Sequence, residues 1–196
     1  SGDLGADGVE WMRAGRAVWH TGDLSDTSRN LGFQLWIALP PSLELEPSES
    51  LYVNPEHVAQ VGPARVLLGQ YDGEASAFPA PGDMTYLGVR LKDGERWTYT
   101  PGENHDIAWL AVAHGVIHAG DDAQAGDLII FAESNQAIDI IAKGETSFVI
   151  GSAAKHPYEL VLGDYSVHTS NERLIEGEAA IRSLATSLQS EGRIRQ

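Results

Sequence analysis

Up to residue 150 the chain never sustains an apolar run for long, because within a few residues a glycine, proline or aspartate cuts it off. Short apolar segments bounded by turn formers describe strands, since a helix needs a longer periodic stretch to bury one face. The candidate strands are Val9–Met12, Phe33–Leu39, Ala64–Gln70, Met84–Leu91, Arg96–Thr100, Ile107–Ala113, Leu128–Phe131, Ala137–Ala142 and Ser147–Ile150. Their close spacing leaves no room for crossover helices and predicts antiparallel pairing. Only the end of the chain reads as a helix: Asn171 is placed to cap it, Leu174, Ile181, Leu184, Ala185 and Leu188 recur at helical spacing, and Gly192 stops it.

Composition then excludes several classes of function. With 28 acidic against 13 basic residues, the 196-residue chain carries a formal charge of -15, which repels phosphate backbones and anionic lipid. Nucleic acid and membrane are therefore not expected partners. The absence of cysteine removes disulfides, thiolate ligands and cysteine nucleophiles, and it agrees with a reducing, cytoplasmic setting. No Gly-x-Ser-x-Gly elbow and no phosphate-binding glycine loop followed by Lys-Ser or Lys-Thr occurs, so hydrolase and kinase readings fall away. Hydrophobic residues make up 42% of the chain, enough to fill a real core.

Two ordered blocks then resemble the pirin family of the cupin superfamily. The run Gly8-Val9-Glu10-Trp11-Met12-Arg13-Ala14-Gly15-Arg16-Ala17-Val18-Trp19-His20 resembles the pirin segment in which a Trp-Met strand leads through an Ala-Gly-Arg turn to a histidine. The block Gly32–Pro40 is similar to the strand that closes the first pirin lobe, and a Pro-, Ser- and Glu-rich stretch follows it. In the second half, Pro101-Gly102-Glu103-Asn104-His105-Asp106-Ile107-Ala108-Trp109-Leu110 and Ala125-Gly126-Asp127-Leu128-Ile129-Ile130-Phe131 resemble the second pirin cupin. The Ala-Gly-Asp turn is sound on local chemistry alone, because Gly126 tolerates a positive φ and Asp127 can bond its own turn backbone.

The resemblance implies an all-β fold: a cupin-type antiparallel β-barrel or jelly roll as C-terminal lobe, a partial N-terminal cupin lobe, and a C-terminal helix. The implied division is residues 1–40 as the remnant of the first lobe, 41–62 as linker, 63–170 as the second lobe and 171–196 as helix and tail. The start at Ser1, without Met and close to strand-like sequence, suggests a chain begun inside a longer protein.

Pirins hold iron in the first lobe through three histidines and a glutamate. Imidazole and carboxylate suit a divalent first-row metal with positions left open for dioxygen or substrate. The resemblance places His20 at the third histidine, but Gly22 stands where the family has its glutamate. Asp23 is the nearest carboxylate, and a one-residue shift along a strand turns its side chain to the other face. His20 is thus the single metal-ligand candidate, and iron is expected in the complete family fold rather than in this form.

Other histidines read as structural. His114 and His118 sit four apart, but Gly115 and the β-branched Val116 and Ile117 argue for a strand or hairpin carrying two solvated histidines rather than a zinc pair. His105, between Glu103-Asn104 and Asp106, belongs to a polar cluster that could line the mouth of the second lobe. His57, His156 and His168 stand alone. Trp11, Trp19 and Trp36 could border a ligand cavity, with core filling the more frequent use of tryptophan. The functional expectation is a pirin-like binding or regulatory protein with a degenerate metal site, contacting a small molecule or a protein partner. The alternative is an iron-dependent quercetin 2,3-dioxygenase-like enzyme when the first lobe is complete. Exposed strand edges lead us to expect some self-association.

Overall fold

The computed structural model describes residues 2–22 and 31–194. Its strands are β1 (Val9–Arg13), β2 (Glu49–Val53), β3 (Gln60–Val61), β4 (Ala64–Tyr71), β5 (Glu74–Ala75), β6 (Met84–Leu91), β7 (Arg96–Tyr99), β8 (Ile107–Ala119), β9 (Asp121–Gln124), β10 (Leu128–Ile130), β11 (Ile138–Ala153), β12 (Val161–Leu162) and β13 (Val167–His168). One α-helix, α1 (Asn171–Ser190), follows them. Among the described residues no helix is long and apolar enough to cross a membrane.

The chain divides into two compact units, one formed by Gly2–Glu10 and Tyr52–Lys155, the other mainly by Trp11–Leu51 and His156–Gln196. The first unit is built on a nine-stranded antiparallel sheet whose main path runs β10-β8-β11-β6-β4-β3, with β5, β7 and β9 paired at its margins. Two long strands organise it. The first part of β11 pairs with β7 and with Val116–His118 of β8, whereas its second part lies between β6 and residues 107–114 of β8. The ladder slips between Lys143 and Ser147, so each long strand takes part in both halves of the sheet and turns a corner there.

Gly115 makes that corner. Its φ is +79°, and a Cβ at this position would sit 2.4 Å from the Glu145 carbonyl oxygen. The extra residue also changes the phase of the strand: Leu110 and Val112 point inward before it, Ile117 and Ala119 after it. The folded sheet encloses Val66, Leu87, Tyr99, Leu110, Ile117, Ile140, Phe148 and Ile150, drawn from both halves. Tyr99 is fully buried, stacked on Tyr71 at 5.6 Å and tilted against Trp97 at 5.8 Å.

In the second unit the helix is set by its ends. The cap is Ser170 rather than Asn171: Ser170 is extended, with φ −154° and ψ 162°, so its hydroxyl is free to accept the Arg173 N–H. At the other end the Gly192 N–H bonds the Gln189 carbonyl and the Arg193 N–H reaches Leu188, the paired pattern of a glycine-terminated helix. Leu188 is buried and Leu174, Ile181, Leu184 and Ala185 lie half-covered on the same side, as the spacing predicts.

Three local expectations are corrected. Phe33–Leu39 is not a strand: Leu31, Phe33 and Trp36 are exposed, and no described strand pairs with the segment. Ala137–Ala142 and Ser147–Ile150 are one strand, continuous through the corner, because irregular pairing interrupts the ladder without ending it. The Pro-rich stretch expected as extended linker contains a turn over residues 41–46, the strand β2 and a single 3-10 turn at Pro55–His57. The tryptophans also divide: Trp36 is 82% exposed and Trp19 47%, so neither fills a core.

Candidate functional site

The tight corner on β4 opens a cavity beside the sheet. Gly69 has φ +82°, and a Cβ there would fall 1.8 Å from the Met84 carbonyl oxygen, so β4 approaches β6 more closely than a side chain allows. The loop from Ala75 to Asp83 then arches over the strand ends. Ser76 pins it: its hydroxyl accepts the Gly69 N–H at 3.0 Å and donates to the Phe78 carbonyl at 2.7 Å. Thr85, also buried, donates to the Gln70 carbonyl at 2.8 Å. The open cleft has a volume of about 630 Å³ and is lined by Ser76, Pro79, Asp83, Met84, Thr85 and His105 among others. That volume is in the range of small-molecule sites.

One wall carries a chain of polar groups leading into the core. His105, 3% exposed, lies 2.9 Å from Asp83 Oδ1 through Nε2 and 2.6 Å from Ser152 Oγ through Nδ1. Ser152 Oγ is in turn 2.6 Å from the Tyr99 hydroxyl. Sheet register assembles this set. Pairing of Ala153 with both Met84 and Ile107 brings Ser152 beside the loop that holds His105, and the Ala154 N–H bonds the Asp83 carbonyl. Hydrogen bonds from His105 and Asn104 hold the Asp83 carboxyl below its ordinary value, against the opposing effect of burial. Burial raises the Tyr99 phenol, with Ser152 opposing it.

A serine, a histidine and an aspartate in hydrogen-bond contact suggest nucleophilic catalysis only if the serine is reachable. Ser152 is 2% exposed and its oxygen faces Tyr99 and His105, so no substrate carbonyl can approach it. What the arrangement can do is present an ordered, ionised carboxylate to a ligand.

A second buried cluster lies in the other unit. Glu44, 2% exposed, accepts the His168 ring N–H at 3.1 Å, the Thr169 backbone N–H at 2.9 Å and the Thr169 hydroxyl at 2.6 Å. Burial works against its charge, but the bonds from Thr169 and His168 outweigh it, and the carboxyl sits below its ordinary value. This cluster is closed to solvent and ties the turn at 41–46 to the start of α1.

No protein-family model matches the sequence. A pirin-like protein from Caulobacter vibrioides is 29% identical over 129 residues, covering 62% of this chain and 46% of its own length. A pirin-like protein from Arabidopsis thaliana is 29% identical over 122 residues, covering 58% and 39%. Among solved structures, a quercetin 2,3-dioxygenase from Acinetobacter baumannii superposes with a TM-score of 0.67 over 74% of this chain and 52% of its own, at 15% identity. The chain is similar in sequence to pirin-like proteins and shares the fold of that cupin dioxygenase. It spans half or less of the length of the curated relatives it matches.

The metal-ligand candidate His20 lies near the edge of the described residues. His20 is exposed, no described residue lies within 4 Å of where a Gly22 Cβ would sit, and Asp23 lies outside the described residues. Among the described residues no group of three or more histidine and carboxylate side chains could hold a metal ion. The described side chains therefore do not fit the iron site that the resemblance implies. His118 is half-exposed and its Nδ1 meets Asp122 at 2.8 Å, while Lys143 also bonds that carboxylate, an ion cluster rather than a zinc pair; His114 is exposed. His105 does stand at a cavity wall, as its polar neighbours suggested. Asp83, Ser152 and Tyr99 had no sequence signal, because only the sheet register makes them neighbours.

Proposed function

We propose that this pirin-like chain acts as a binding or regulatory protein, engaging a small molecule through the cavity beside β4 and β6, rather than as a self-sufficient dioxygenase. The observation that supports this reading is the contrast between the two candidate sites. The His20 position offers one exposed imidazole and no described co-ligand, whereas the cavity offers a volume of about 630 Å³ and a polar wall in which buried His105 holds an accessible Asp83 carboxylate. A ligand pocket needs a few fixed polar groups in a shaped space, and the Asp83–His105 pair with its Ser152 support meets that requirement.

The likeness to a quercetin 2,3-dioxygenase favours a second reading, in which a more complete protein of this kind performs iron-dependent oxygenation. One experiment separates the two. The purified chain and its His20→Ala variant are loaded with iron anaerobically, analysed for bound metal, and assayed for oxygen uptake with quercetin. The binding reading expects substoichiometric iron in both proteins and uptake at the protein-free rate. Near-stoichiometric iron lost with His20→Ala, together with uptake above background, would establish the enzyme reading instead.

A further inference from the structure

We propose that the cavity takes an organic cation, an ammonium or guanidinium group on a small apolar body, with Asp83 as its anchor. The inference rests on the binding reading above and adds the charge of the ligand. It follows from the contacts that hold Asp83 at the cavity wall. His105 Nε2 lies 2.9 Å from Asp83 Oδ1, and the other ring nitrogen lies 2.6 Å from Ser152 Oγ and 3.3 Å from the Gly102 nitrogen. Ser152 Oγ is in turn 2.6 Å from the Tyr99 hydroxyl. These bonds tie Asp83 at the cavity wall to Tyr99 in the core.

Two consequences follow for the ligand. His105 orients the Asp83 carboxylate, and no lysine or arginine lines the cavity to cancel its charge. A carboxylate offers about four acceptor sites, of which His105 and Asn104 use two. The carboxylate remains 56% exposed, so the other two are within reach of a ligand's N–H groups. His105 and Asn104 also keep the group ionised below its ordinary titration range. The lining is mostly polar, and Pro79, Met84 and the alanines of the loop supply its smaller apolar part beside this charge. A bare divalent ion needs several protein ligands, and no such group exists among the described residues. The formal charge of -15 attracts cations and repels anionic competitors.

The test uses three probes of one shape, phenethylamine, phenethyl alcohol and 3-phenylpropionate, titrated into the full chain at fixed ionic strength and followed by calorimetry and amide chemical shifts. The amine is expected to perturb residues 75–85 and to bind about tenfold or more tighter than the alcohol, with the carboxylate weakest. Asp83→Asn, nearly isosteric and at an exposed position, should bring the amine to the level of the alcohol. Asn104→Ala, which leaves the charge in place, should keep the amine preference. If the alcohol binds in the cavity as well as the amine, or Asp83→Asn leaves the preference intact, the charge assignment is overturned while the binding role stands. Absence of any shift at residues 75–85 with all three probes overturns the cavity site itself, and the binding role then rests on a protein partner, tested by recovery from native extract.

Discussion

Glu44 and His168 are 124 residues apart in sequence and 3.1 Å apart in the structure, joined inside the unit that carries the terminal helix. The same carboxylate takes the Thr169 N–H and hydroxyl just ahead of the Ser170 cap. One buried side chain thus positions the entry to α1. Glu44→Ala would leave one buried and two part-buried donors without this partner and should lower stability by about 2–4 kcal/mol. Urea unfolding followed by far-ultraviolet circular dichroism measures this, and a loss within 0.5 kcal/mol, about the scatter for a surface change, would show that water replaces the carboxylate.

The same residue predicts an acid limb. Its carboxyl is held below the ordinary 4.5 in the folded chain, so the unfolded chain takes up the proton first as pH falls. The stabilisation is therefore complete above that ordinary value and is lost as pH drops through the lower folded value. Unfolding midpoints from pH 7 downwards should fall more steeply for the wild type than for Glu44→Gln, and parallel curves would assign the acid limb to other carboxylates.

Ser152 is the joint of the polar wall, its hydroxyl 2.6 Å from both His105 Nδ1 and the Tyr99 hydroxyl. Ser152→Ala leaves a buried phenol and a buried ring nitrogen each short of a partner, at a cost of about 1–3 kcal/mol. Adding Tyr99→Phe removes one orphan, so the double variant should be less destabilised than the sum of the two single changes. Strict additivity in that cycle would mean the hydroxyls do not interact.

At Gly115 the backbone conformation and the space both exclude a side chain. Gly115→Ala should cost more than the roughly 1 kcal/mol of an unfavourable positive φ, because the added methyl meets the Glu145 carbonyl. Thermal unfolding checks this, with Gly120→Ala as comparison: Gly120 also has positive φ, at +86°, but open space around it. Equal losses at the two sites would remove the steric contribution.

Much of the strand pattern was legible because alternation and turn residues are local signals. Met84–Leu91 emerges with its expected ends, and the Ala-Gly-Asp turn forms with Asp127 accepting the Gln124 N–H. The failures share a cause. Phe33–Leu39 has the composition of a strand, but a strand exists only where a neighbour completes its ladder, and composition does not report the neighbour. His168 looked isolated because its partner Glu44 lies far away in a Pro- and Glu-rich turn.

By itself the sequence determined the class of the fold, the positions of most strands and the terminal helix. Those properties depend on periodicity, turn chemistry and residue identity, which act over a few neighbouring positions. Only the tertiary structure decided that Asp83, Tyr99, His105 and Ser152 form one hydrogen-bonded set and that a cavity opens beside them. Their meeting depends on the register of β6, β8 and β11, where a one-residue slip would turn every side chain to the opposite face. Register is settled by packing the whole sheet around its core, so it belongs to the assembled fold rather than to any local stretch of chain.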